Sequence, residues 1–212
     1  SSRLAPARFA RRHNKHVMSS GRGMRPHGVL TLVGACAAGM AAGAAPVSVD
    51  SVRIEASVVS QRTLRDAGVV RQQRDYSCGA AALATLLTYG LGDDVGEEAL
   101  LRTLLEPMTP AELEALQQRG LSLLDLQRLA EGRGHRARGF RVPVAQLARI
   151  SRPVIVFVRP GGYEHFAVLK GVRGDRVYLA DPSLGNVRMP IYRFRELWSD
   201  ANGQGIVFAV ER

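Results

Sequence analysis

Cysteine is scarce in this sequence: 212 residues hold two, Cys36 and Cys78. That excludes a disulfide-stapled scaffold, since two thiols make at most one intramolecular bridge. The cysteines and the five histidines show no zinc-ligand spacing, so neither a metal nor another cofactor is expected. Acidic residues are missing from positions 1–44, which carry seven Arg or Lys. The other residues hold 22 basic and 19 acidic side chains, so the formal charge of +10 is largely a property of the N-terminus. The small excess that remains, with no basic stripe interleaved with aromatics, argues against nucleic acid as a partner. Internal repeats are absent too. What is present is ordinary for a globular chain: 46% apolar and 23% charged residues, and length enough for one domain plus an appendage.

The basic N-terminal stretch ends at Met24-Arg25-Pro26-His27, and the 17 residues from Val29 to Ala45 carry no charge and many small side chains. Ala42-Gly43-Ala44 has the small-x-small pattern that fits a signal peptidase cleft. Residues 1–45 are therefore read as a basic leader with a signal peptide, and the protein as exported and periplasmic. The apolar stretch is also just long enough for an uncleaved anchor, which would tie the chain to the membrane. Val33-Gly34-Ala35-Cys36 resembles a lipobox, so lipidation at Cys36 is a third fate. A core helix is disfavoured, because so many Gly and Ala residues would pack poorly. Met18 and Met24 are candidate translation starts. Cleavage after Ala44 would leave Cys78 as a lone thiol in an oxidising compartment, which marks it as reactive.

Residues 51–59 alternate as a strand does, and 61–75 read as polar and irregular. Residues 46–67 are taken as an extension ahead of a domain at 68–212. From Cys78 the segment GAAALATLLTY is helix-forming, with Gly90 as its natural cap. Helices also suit 96–105, 110–119 behind Thr109-Pro110, and 122–130, where Ser122 and Asp125 have capping-box spacing. A strand fits 136–142 and a short helix 143–149. Four apolar runs then follow as strands, at 153–159, 165–172, 176–181 and 205–210, with turns at Gly161-Gly162 and Gly174-Asp175. Helices first and an antiparallel sheet afterwards predict an α+β fold.

Three places carry chemistry. Cys78 opens an apolar helix behind the polar loop Gln72-Gln73-Arg74-Asp75-Tyr76-Ser77. A helix N-terminus bears partial positive charge and free N–H donors, which stabilise a thiolate and suit an oxyanion hole. Gly79 and the alanines after it would let a substrate backbone approach, and Gln72 could turn its amide in as a second oxyanion donor. From position alone Cys78 reads equally well as a small buried core residue. His165 opens a strand after the Gly-Gly turn, exposed enough to serve as a general base, although an isolated histidine is more often structural. Asp181 ends the next strand ahead of Pro182. If 165–172 and 176–181 form a hairpin around Gly174-Asp175, His165 and Asp181 share its open end; otherwise Asp-Pro is a common turn.

Taken together, a helix-opening cysteine followed far downstream by a strand histidine and an aspartate is the order of papain-like enzymes. Gln72, Asp75-Tyr76-Ser77-Cys78-Gly79-Ala80-Ala81, His165-Phe166-Ala167-Val168-Leu169 and Asp181-Pro182 resemble the bacteriocin-processing cysteine peptidases, over about residues 68–212. The resemblance implies a papain-like fold and cleavage of leader peptides after a double glycine. It implies Cys78 as nucleophile, His165 as base, Asp181 as orienter and Gln72 in the oxyanion hole. Many family members are fused to a peptide-exporting transporter. This chain is more similar to free-standing members, some of which accompany export or fibre-assembly systems, so a peptide or protein with a leader segment is the expected partner. Ser77 departs from the pattern, since an acidic residue often precedes the cysteine, and the usual substrate contacts there are not implied. Two other readings stand beside the peptidase: a peptide-binding chaperone domain of the same fold that does not cleave, and a thiol amidase or transpeptidase acting on wall peptides.

Overall fold

The helix after the polar loop has no polar face. All eight residues of α2, Cys78–Thr85, are buried, and a helix apolar on every side belongs inside a core. Its alanines keep it thin, so helices α3 (Glu97–Leu105) and α5 (Leu123–Gly132) approach on one side and a sheet on the other. α4 (Pro110–Arg119) completes the helical half. The sequence-predicted caps of α4 and α5 are both capping boxes, Thr109 with Glu112 and Ser122 with Asp125. Each cap contributes about 1 kcal/mol by satisfying donors that the first turn leaves open.

In the computed structural model the backbone is described for Ala45–Val49 (β1) and Val52–Ala56 (β2), and residues 59–212 are described in full. β1 and β2 pair as an antiparallel hairpin. The leader, the cleavage motif at Ala42–Ala44 and the lipobox at Cys36 lie outside the described residues. Among the described residues no helix is long and apolar enough to cross a membrane.

The sheet has six strands: β3 (Arg136–Pro143), β4 (Val154–Val158), β5 (His165–Arg173), β6 (Arg176–Asp181), β7 (Gly185–Pro190) and β8 (Gln204–Glu211). They lie in the order β3-β8-β4-β5-β6-β7, and every neighbouring pair is antiparallel. One face, with Ile155, Phe166, Val168, Ala180 and Phe208, packs on α2. The other face, with Val156, Ala167, Leu169, Val177 and Val207, is covered by Phe194 and Trp198 of α6 (Ile191–Trp198) and by Leu147 of a short 3-10 segment, Val144–Arg149. Helices on one side, an antiparallel sheet, and one covering helix behind it give the α+β fold that the sequence predicts.

Five elements differ from the sequence reading, the first of them β1, for which no strand was expected. Residues 61–75 are not wholly irregular: Ser60 caps a short helix α1, Gln61–Asp66, which buries no side chain and so leaves no apolar pattern. α2 does not stop at Gly90. It widens into a π-helical turn, Leu86–Leu91, and ends at Gly92, whose φ of 71° is the left-handed conformation that glycine adopts freely. β7 and α6 were not anticipated. β7 (GNVRMP) begins with Gly and ends with Pro, and α6 starts at Pro190 without a side-chain cap.

Candidate active site

Four features put Cys78 where it is. It is the first residue of α2, and the next N–H groups have no partner inside the helix until Ala81, which bonds the Ser77 carbonyl. The loop before it is closed by Ser77, fully buried, whose hydroxyl donates to the Arg74 carbonyl at 2.7 Å and accepts from the Arg74 N–H at 3.2 Å. Ser77 therefore shapes the loop and does not face a substrate. Glu97, a buried carboxylate on α3, accepts the Gln73 N–H at 3.0 Å and holds the same loop from the other side. Gly79 is buried against the core: a Cβ there would lie 3.1 Å from Leu121 Cβ and 3.2 Å from Leu126 and Phe166. This corrects the expectation that Gly79 makes room for substrate; it lets α2 sit close to β5 and α5.

His165 is the first residue of β5, at the open end of the sheet beside the start of α2. Its Nε2 lies 3.1 Å from Asp181 Oδ2, on the last residue of β6. Cys78 and His165 line the same cleft. With Nε2 committed to Asp181, Nδ1 is the nitrogen left for Cys78. Burial pulls the imidazole pKa down, but the hydrogen bond and charge of Asp181, together with the neighbouring Cys78, outweigh it and raise it from 6.5 to about 9. Asp181 is itself buried, which pushes its carboxyl up; the bond from His165 and its charge, and the N–H groups of Ser183 and Leu184 on Oδ1 at 2.8 and 3.0 Å, leave it below 3.8. The histidine is thus kept protonated at neutral pH beside a thiol, by a carboxylate that stays ionised.

Gln72 reaches the same cleft, which is lined by Gln72, Asp75, Cys78, Tyr163, His165 and Leu184 among others. Its backbone N–H bonds the Pro182 carbonyl at 3.1 Å, which ties the loop before α2 to the turn after β6. Its side-chain Nε2 donates one hydrogen to the Arg74 carbonyl at 3.0 Å, and the amide has a second to offer. All four side chains singled out from the sequence therefore stand in one cleft. Sequence reasoning missed Glu97, Ser77 and Ser183, which act on the loop backbone and the glutamine amide; a polar residue serving a distant loop leaves no local pattern.

Residues 66–202 match the Peptidase C39 family. The chain belongs to that family. This C39 chain is 42% identical to the probable functional amyloid protease FapD of Pseudomonas aeruginosa and 40% identical to that of Pseudomonas fluorescens, each over 153 residues and 72% of the chain. It spans 64% of the length of these two relatives. Among solved structures it is similar to a double glycine motif protease from an AMS/PCAT transporter in complex with the leader peptide, with 27% identity, a TM-score of 0.54, and coverage of 68% of this chain and 89% of the other. The peptidase domain of Streptococcus ComA, at 21% identity and a TM-score of 0.55 over 68% of this chain and 96% of its own, shares the fold. The papain-like architecture expected from the sequence is the one found.

Proposed function

We propose that this C39 chain is a cysteine endopeptidase that cuts after a double-glycine-type leader motif of an exported protein, using Cys78, His165 and Asp181. The observation that carries the reading is the cleft that holds Cys78, at the N-terminus of α2, together with the bonded pair His165 and Asp181. The thiolate of Cys78 attacks the scissile carbonyl carbon while His165 is imidazolium. The Cys78 N–H and the Gln72 amide donate to the developing oxyanion. His165 then gives its Nδ1 proton to the leaving amine as the C–N bond breaks, leaving a thioester on Cys78. Neutral His165 takes a proton from water, whose oxygen attacks the thioester; the acid leaves, and the thiolate–imidazolium pair returns. Asp181 holds the imidazole in the tautomer that presents Nδ1 to sulfur.

The 27%-identical structure holds a leader peptide, which supports a peptide substrate and a double-glycine motif. The description of the FapD relatives as probable functional amyloid proteases supports an exported, fibre-forming client. The charge asymmetry of residues 1–45 supports export of the peptidase itself, to a periplasmic site. To test the reading, the purified chain is incubated with a double-glycine leader peptide and with a cell-wall peptide. The expected result is cleavage of the first after its second glycine, abolished by Cys78→Ala. Undiminished cleavage by that variant sinks the mechanism, and tight binding without turnover by the wild type would point to a chaperone.

A further inference from the structure

Ser183 lies on the turn that follows Asp181 and Pro182, exposed at the edge of the cleft. It is bonded in three directions. Its N–H donates to Asp181 Oδ1 at 2.8 Å, its carbonyl accepts from Arg71, and its hydroxyl donates to Gln72 Oε1 at 2.8 Å. Arg71 in turn donates to Asp66 Oδ1 at 2.7 Å, so the turn is gripped from the segment before α2. The hydroxyl bond matters because an amide has two ends. Gln72 Nε2 meets the Arg74 carbonyl, which can only accept, so the other end of the amide, Oε1, is the one that meets Ser183 and takes its hydroxyl hydrogen. The two contacts together fix which way the amide is turned and where its remaining N–H lies.

We propose that Ser183 is a positioning residue that orients the Gln72 amide through its hydroxyl and so couples the oxyanion donor to the Asp181 turn. This rests on the reading of Gln72 as an oxyanion donor. One four-residue turn then sets both ends of the chemistry: its first residue orients the base, and its third orients the donor that receives charge as the base acts. The sheet half and the helical half of the domain meet at this bond, so a displacement of the β6–β7 turn moves the imidazole and the amide together.

Two readouts test it in parallel. In the first, glutamine is labelled with 15N and the Gln72 side-chain amide pair is identified by its disappearance in Gln72→Ala. Ser183→Ala is expected to move that pair to the random-coil position, and Ser183→Thr to keep it near the wild-type one. An unmoved pair in Ser183→Ala overturns the proposal whether or not the chain cleaves anything. In the second, turnover of a leader peptide is expected to fall about three- to tenfold in kcat with KM little changed, as for loss of one hydrogen bond. Ser183→Thr is expected to restore it. In a Gln72→Ala background, Ser183→Ala is expected to add nothing; a further loss as large as in the wild-type background overturns the proposal. A wild type that does not cleave counts against the proposed peptidase activity, and the amide spectrum then decides the role of Ser183 alone.

Discussion

Asp181 meets His165 diagonally across the β5–β6 pair, at 3.1 Å, because Lys170 is an extra residue in β5. Near the Gly174-Asp175 turn Arg173 pairs with Arg176 and Val172 with Val177; past Lys170 the register has slipped by one, and Leu169 pairs with Leu179 and Val168 with Ala180. Continued one step, the slipped register sets Asp181 beside Ala167, on the face that also carries His165. In the unslipped register Asp181 would stand beside Val168, on the opposite face, because side chains alternate with a period of two. The bulge, with Gly171 at a φ of 151°, therefore delivers the carboxylate to the imidazole.

Deleting Lys170 should remove the slip and turn Asp181 away from His165. Peptide cleavage by the deletion variant is expected to fall as far as in Asp181→Ala, by about 10²- to 10⁴-fold in kcat/KM, the range for loss of acid–base assistance. A crystal structure of the variant would show Asp181 facing α2. Wild-type turnover by the deletion variant contradicts this account of the hairpin.

The pH dependence follows from the two shifted groups. The raised pKa of His165 stabilises the fold in full below its ordinary 6.5, and that contribution disappears as pH climbs through about 9. The lowered pKa of Asp181 contributes above its ordinary 3.8 and is lost as pH falls through its folded value. Activity that needs imidazolium is therefore expected to keep a plateau through neutrality and to drop near pH 9. In Asp181→Asn a cause of the raised pKa is gone, so the alkaline limb should move to lower pH. A pH–rate profile of both proteins checks this, and an unmoved limb contradicts it.

Gly79→Ala tests the seating of α2. The new methyl meets Leu121, Leu126 and Phe166 at once, all three of them buried in the core. Thermal unfolding is expected to show a loss of about 1–3 kcal/mol, the usual range for overpacking. Cleavage should weaken as well, because the helix that carries Cys78 is pushed off the strand that carries His165.

Gly205→Ala tests the other face of the sheet. The Trp198 ring occupies the space a Cβ would need, and its Nε1 donates to the Ile206 carbonyl at 2.9 Å. The substitution should dislodge the buried indole, destabilise the fold by about 3 kcal/mol, and shift the fluorescence of the single tryptophan toward that of a water-exposed ring.

The sequence made the local devices legible: the capping residues Ser122 and Thr109, the Gly174-Asp175 turn and the apolar strands all act within a few residues. It also singled out Cys78, His165 and Asp181, because unusual residue types stood at element ends, and Gln72, in the polar loop six residues before the cysteine. The slip at Lys170 left a trace, too. His165 lies nine residues before Gly174 and Asp181 six after Asp175, and that mismatch of parity cannot place both on one face without a bulge. α6 carried a signal that was passed over, since Ile191, Phe194 and Trp198 recur at helical spacing. The interactions of Glu97 and Ser183 could not be read in the same way. Each serves a partner 24 or 111 residues distant, and only the folded chain brings them together.

The most direct test of the central claim is covalent. The chain is treated with a leader-derived peptide ending in Gly-Gly chloromethyl ketone, and the adduct is located by peptide mass mapping. One equivalent is expected on Cys78, formed slowly in His165→Ala and not at all in Cys78→Ala. Labelling at another residue, or leader cleavage that survives in Cys78→Ala, would contradict the account.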